Sequence, residues 1–148
     1  MNLGTALEGV TSILLDSAPV IYYFEKNPRY IPLMDRFVDH WEKSELICVT
    51  SPITLAECLI HPKRLGLSDL VESYKAQAFG GDKSRFRMIG SREADLAAEI
   101  RGKHNLTLDD AFQVAVAVTA GCQAILTNDR VFARVEEVRA IVLDDLEE

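Results

Sequence analysis

Apolar residues recur along this chain in two rhythms. Short unbroken runs at 12–15, 46–50, 124–126 and 140–143 read as buried strands. Residues 85–89 are a further strand candidate, with Arg85 and Arg87 alternating with apolar neighbours as on a sheet edge. The stretches between carry helical spacing. Ile31, Met34, Phe37, Val38 and Trp41 mark a helix over 28–43; Leu70, Val71, Tyr74 and Ala78 mark one over 67–79. A short helix over 18–25 tolerates Pro19 in its first turn and is broken by Asn27-Pro28. Ser51-Pro52 opens a helix carrying Ile53, Leu55, Ala56 and Glu57, expected to stop near His61-Pro62. Ser91 is the expected cap of a helix over 91–104, acidic early and basic late, as the helix dipole prefers. A short helix is also expected over 131–138.

The most informative stretch is 106–132. Thr107 is placed to cap a helix whose first turn holds Asp109 and Asp110, and whose body is apolar on nearly every side. Gly121 ends it, and Thr127-Asn128-Asp129 stands where the following strand stops. Strands separated throughout by helices imply an α/β fold, a mainly parallel sheet covered on both faces. In such sheets ligands sit beyond the carboxyl ends of the strands.

Composition narrows the picture. A chain of 148 residues, 48% apolar and 26% charged, reads as one domain over 1–148 with a substantial core. No apolar run approaches the ~20 residues of a membrane span, and the first residues show no signal-peptide pattern. Cys48, Cys58 and Cys122 are odd in number and set among apolar neighbours, so reduced thiols and a cytoplasmic setting are expected. A net charge of −7 argues at first sight against a nucleic-acid partner. Carboxylates that converge on a cation change that local field, and the acidic end at 144–148, expected to be a solvated tail, inflates the count.

Four acids fall at the same predicted sheet edge. Asp16 follows the first strand, Asp129 follows the fourth, Asp110 lies in the first turn of the central helix, and Glu57 lies on the helix after the second strand. Taken singly, each has an ordinary reading: Asp16 and Asp129 as helix caps, Thr107-x-x-Asp110 as a capping-box variant, Glu57 as a solvated acid. Taken together, they would repel one another unless a cation sat among them. Oxygen ligands of this kind suit Mg²⁺ or Mn²⁺, which can activate water and stabilise charge on a phosphodiester.

Leu14-Leu15-Asp16-Ser17, Thr54-Leu55-Ala56-Glu57, Leu108-Asp109-Asp110-Ala111 and residues 126–132 resemble, in order and spacing, the four signatures of PIN-domain nucleases, closest in flavour to VapC-like toxins. The resemblance implies a three-layer α/β/α fold with parallel strands in the order 3-2-1-4-5, and metal-dependent endonucleolytic cleavage of RNA to a 5′-phosphate and a 3′-hydroxyl. By position it makes Asp16 and Asp110 the primary metal ligands. Glu57 and Asp129 complete the site directly or through water, and Ser17, Thr127 and Asn128 orient the carboxylates, although Thr127 reads equally as a strand residue with a satisfied hydroxyl. Asp110 is selected over Asp109 because it directly precedes Ala111. The resemblance also implies a protein antitoxin and a homodimer built on the early helices, with their Tyr, Phe and Trp content.

No histidine is required as a base; His40, His61 and His104 read as structural or solvent-facing. Lys63-Arg64, residues 83–87 and residues 101–104 are candidate cations for an RNA backbone, each more simply read as surface charge. Rival families fit less well. A haloacid-dehalogenase-like phosphatase needs an acid where Ala18 stands, a receiver domain needs a lysine after Lys103, and a Rossmann dinucleotide site needs glycines where Asp16-Ser17-Ala18-Pro19 stands. The remaining alternative is a PIN-like scaffold that binds RNA or protein without cutting.

Overall fold

Five parallel strands form the sheet in the computed structural model, which describes residues 1–147 and Ala78 by its backbone alone. The expected contribution of the Ala78 side chain, and Glu148 at the acidic end, lie outside that description. The strands are β1 (Ser12–Leu15), β2 (Ile47–Thr50), β3 (Ser84–Phe86), β4 (Ala124–Thr127) and β5 (Arg139–Val142), in the order β3-β2-β1-β4-β5. All neighbouring pairs are parallel, with Leu14 opposite Val49 on one side and Ile125 on the other. The expected fold and strand order are therefore observed. β1 lies in the middle and is fully interior: Ile13 and Leu14 have no exposed surface. β3 is an edge strand, as the alternating arginines implied, but is shorter than expected and starts at Ser84.

Helices α1 (Leu3–Ala6), α2 (Ser17–Phe24), α3 (Ile31–Lys43), α4 (Pro52–Arg64), α5 (Ser68–Ser73), α6 (Ser91–His104) and α7 (Leu108–Thr119) complete the layers. Alternate strand residues feed two cores. Ile13, Leu15 and Leu126 face one with Leu33, Met34 and Phe37 of α3. Leu14, Val49 and Ile125 face the other with Ile100 of α6 and Val114 of α7. A strand covered on both faces has no polar side, which is why the strands read as unbroken apolar runs.

Several boundaries differ from expectation for local reasons. α3 begins at Ile31 because Asn27 first closes a turn: its side chain accepts from the Arg29 amide at 3.0 Å, and its carbonyl from the Ile31 amide. α4 runs past His61 to Arg64, with Pro62 buried inside its last turn at the loss of a single backbone hydrogen bond. The helix expected over 67–79 ends as α5 and widens into a π-helical turn at Tyr74–Ala78. Gly90, not Ser91, caps α6, its amide donating to Glu93 Oε1 at 2.8 Å. Gly121, at φ +76°, lies just past the end of α7 as expected. A 3-10 turn at Arg130–Arg134 replaces the helix expected over 131–138.

α1 was not foreseen; Asn2 caps it by accepting from the Thr5 amide. The acidic end is exposed but folded onto the body. Leu143–Asp145 makes a 3-10 turn, and the Glu147 amide donates to the Met1 carbonyl. Among the described residues no helix is long and apolar enough to cross a membrane. Cys48 and Cys58 are buried free thiols, and Cys122 is a half-buried one facing the Ser12 hydroxyl at 3.4 Å.

Candidate active site

Parallel strands all end at the same edge of the sheet, and helices that follow or precede them begin or end there. β1 delivers Asp16 to that edge and β4 delivers Asn128 and Asp129. α7 runs antiparallel to the strands, so its first turn brings Asp109 and Asp110 to the same place. Glu57 sits in the second turn of α4, and helical side chains lean toward the helix start, so its carboxylate tips toward the strand ends. Asp16, Ser17, Tyr22, Glu57, Thr107, Asp109, Asp110, Asn128 and Asp129 line one open cleft of about 390 Å³.

The expected acids thus meet, with one addition. Asp109, passed over on sequence, lines the cleft as well, beside Glu57, whose carboxyl its charge helps to raise. The Thr107 hydroxyl makes no helix-capping bond; it faces the carboxylates of Asp109 and Asp110. Asp16 occupies a cap position without a side-chain capping bond. Asp129 does cap, accepting from the Val131 amide at 3.0 Å, while also lining the cleft.

A buried frame fixes this edge. The Thr127 hydroxyl donates to Asp16 Oδ2 at 2.7 Å and accepts from the Asp129 amide at 3.0 Å, joining the ends of β1 and β4. Beneath them, Ser51 Oγ donates to Gln113 Oε1 at 2.6 Å, and Gln113 Nε2 donates to Thr54 Oγ1 at 2.8 Å. Thr54 in turn donates to the Leu15 carbonyl. Gln113 was missed on sequence, although a lone amide on an otherwise apolar helix was its visible sign. We expect Thr127→Val to cost about 1–3 kcal/mol by urea unfolding, because it strips the hydroxyl partner from buried Asp16 and from the Asp129 amide at once. An unchanged midpoint would show that the frame is not structural.

Crowding of like charge sets the electrostatics. Burial first, and then the Asp16 charge, push the Glu57 carboxyl up to about 7. Burial pushes Asp110 up to about 6, with the Asp109, Asp16 and Asp129 charges adding to it against the Thr107 hydrogen bond. Burial also raises Asp16, opposed by the Thr127 hydroxyl, the Ser17 backbone and the Gln113 amide. Asp109 is held low, chiefly by the Thr107 hydroxyl. Among the described residues no three acids are drawn together as a finished metal cage. Like carboxylates stand apart until a cation offsets their repulsion. The donor set, all hard oxygens around an open cleft, fits Mg²⁺ or Mn²⁺ and not a soft metal.

The basic clusters considered on sequence are mostly occupied elsewhere. Lys83 Nζ donates to the carbonyls of Trp41, Glu42 and Ser44, and Arg101 to that of Leu106. Lys103 and His104 pair with Glu136 and Glu137. These are structural uses, and His104 is no base for the cleft.

The model of the PIN-domain family matches residues 13–138. No curated protein matches. Solved structures with the same fold include a toxin–antitoxin complex from Klebsiella pneumoniae, at 17% identity and TM-score 0.67 over 88% of this chain and 97% of that one. VapBC2 from Rickettsia felis, bound to a promoter DNA fragment, aligns at 12% identity and TM-score 0.67 over 88% and 98%. VapC20 of Mycobacterium tuberculosis, described as a toxin cleaving the sarcin–ricin loop, aligns at 20% and 0.64 over 86% and 98%.

Proposed function

This chain belongs to the PIN-domain family, and from that premise we propose that it is a metal-dependent endoribonuclease, the toxin of a toxin–antitoxin pair. The observation that carries the reading is the convergence of Asp16, Glu57, Asp109, Asp110 and Asp129 on one open cleft. A solvated cluster would be exposed and would keep ordinary acidity. Here Asp16 is buried, and Glu57 and Asp110 are pushed up to about 7 and about 6.

In this reading Asp16 and Asp110 hold the ion, and Glu57 and Asp129 contact it directly or through water. When bound, Mg²⁺ or Mn²⁺ would offset charge on the phosphodiester and favour ionisation of water. The chain's own residues do the rest. Thr127 fixes the Asp16 carboxylate and the Asp129 amide relative to each other. Near neutral pH Glu57, raised to about 7 by burial and the neighbouring charges, is poised to hold or release a proton. The first turns of α2 and α7 open toward the cleft, and the positive ends of helix dipoles favour phosphate oxygens. Water attacks phosphorus in line, the P–O3′ bond breaks, and O3′ leaves with a proton.

The test is cleavage of RNA in Mg²⁺ or Mn²⁺, with EDTA as control and mapping of the cut ends. Metal-dependent cuts with 5′-phosphate ends support the proposal; cutting undiminished by EDTA, or no cutting of any RNA, overturns it. Ion uptake must also displace the proton on Glu57. We expect Mg²⁺ affinity to rise as pH climbs from 6 toward 8, with proton release in calorimetry run in two buffers of different ionisation enthalpy. Affinity independent of pH would remove Glu57 from the site.

Chains of this fold in toxin–antitoxin complexes support an antitoxin partner, and the reduced thiols support the cytoplasm. A homodimer through the early helices belongs to the same proposal; a monomeric mass by light scattering would remove it.

A further inference from the structure

RNA is a polyanion, and the cleft proposed to cut it is acidic. Some cationic surface must adjoin the cleft, and the clusters at 83–87 and 101–104 are largely tied down on carbonyls and glutamates. The contacts leading out from the cleft wall end on two arginines. Tyr22, which lines the cleft, stacks on Tyr30 with ring centres 4.1 Å apart and planes within 8°. The guanidinium of Arg29 lies over the Tyr30 ring at 5.1 Å. On the neighbouring wall, Asn128 Nδ2 donates to the Tyr22 hydroxyl, and Asn128 Oδ1 accepts from the Asp144 amide at 2.9 Å. Arg130 directly follows the cleft residue Asp129.

Both arginines face carboxylates of the folded acidic end. Arg29 pairs with Asp144 at 3.5 Å and Arg130 with Asp145 at 2.7 Å. The Tyr30 hydroxyl holds Asp144 in place with a 2.7 Å hydrogen bond. The arginine side chains are 74% and 65% exposed. Such pairs contribute little and exchange readily. Guanidinium binds phosphate with at least equal geometric fit.

We propose that Arg29 and Arg130 form a shelf for the phosphates of single-stranded RNA beside the acidic cleft, and that Asp144 and Asp145 occupy this shelf as phosphate mimics until RNA displaces them. The shelf rests on the nuclease reading of the cleft. It gives a chain of net charge −7 a local way to admit a polyanion. It also makes the acidic end a competitor of substrate.

The test is fluorescence anisotropy of a short labelled single-stranded RNA with the full chain in EDTA, over a salt series. Arg29→Gln/Arg130→Gln should weaken binding about tenfold at low salt and flatten the log–log salt slope by about 1.4, two contacts at about 0.7 each. Arg29→Lys/Arg130→Lys should restore most of the slope. Asp144→Asn/Asp145→Asn keeps the acceptor for Tyr30 and should tighten binding several-fold, a gain that vanishes when both arginines are glutamine. Glutamine variants of unchanged affinity and slope, or a parent chain that does not bind, overturn the shelf. A gain from the asparagines that survives loss of the arginines overturns the mimicry. Cleavage of the same RNA in Mg²⁺ separates the two readings. A chain that binds through the shelf but never cuts sinks the nuclease alone; one that cuts with binding indifferent to the arginines sinks the shelf alone.

Discussion

Asp110→Asn is expected to lower RNA cleavage by about a thousandfold or more and, in the same molecule, to raise the Tm of the metal-free protein at pH 8 by roughly 2–4 °C. The first effect follows from losing a principal anionic ligand in a site whose chemistry depends on several kcal/mol of charge stabilisation. The second follows from the acidity of Asp110, pushed up from 3.8 to about 6 by burial and by the neighbouring carboxylates. The sign is fixed by linkage. Below its unfolded value the group is protonated in both states and costs nothing. As pH climbs from about 4 to about 6, the unfolded chain ionises first, so stability is lost through that window. Glu57 extends the loss from about 4.5 to about 7. Asparagine carries no charge and escapes the penalty. Melting curves of parent and variant in EDTA should therefore coincide near pH 4 and separate above pH 6. Mg²⁺ should stabilise the parent, by about 2.7 kcal/mol at one hundred times its Kd, and the variant much less. A variant that cleaves like the parent, or melts below it at pH 8, would detach Asp110 from the site.

Phe132→Ala is expected to carry the largest structural penalty, about 3–5 kcal/mol by urea unfolding. Phe132 lies in the 3-10 turn after Asp129 and is only 1% exposed. It packs in the core with Val114 and Ile125, under the carboxyl end of β4. Its removal leaves a hole that the sheet cannot close without shifting. At roughly 2–4 °C per kcal/mol for a chain of this size, the Tm should fall by some 6–20 °C. Phe132→Leu should recover most of the loss while keeping activity. If Phe132→Ala unfolds with the parent's midpoint, the turn carrying Asp129 is not anchored by the core, and the rigidity assigned to the cleft is lost with it.

The strand order and the meeting of the acids were legible because both depend on simple bookkeeping. Interior strands show as unbroken apolar runs, parallel strands end at one edge, and acids placed just after Leu15 and Thr127 must share it. Asp109 was passed over because Asp110 is the acid that directly precedes Ala111; a one-residue step on a helix changes direction by about 100°, yet both acids of this first turn line the open cleft. Gln113 was missed for a different reason. Its partners, Ser51 and Thr54, lie about sixty residues away, so a lone amide on an apolar helix marks it as unusual without naming the buried hydroxyls it meets. The docking of Asp144 onto Tyr30 has the same character, spanning 114 residues. A run of acids looks the same in sequence whether it is loose or held by one phenol.

The central place of β1 has a consequence for how the molecule comes into being. Leu14 pairs on one side with Val49, which leaves the ribosome soon after it, and on the other with Ile125, which follows much later. Long-range parallel pairing is slow and waits for its last member. Until the fourth strand has emerged and slotted in, Asp16 has no Asp129 across from it, and the cleft is incomplete. On the proposed nuclease function, the nascent chain gains its cutting edge only once β4 has joined β1, and that is the earliest moment at which the proposed antitoxin would be needed.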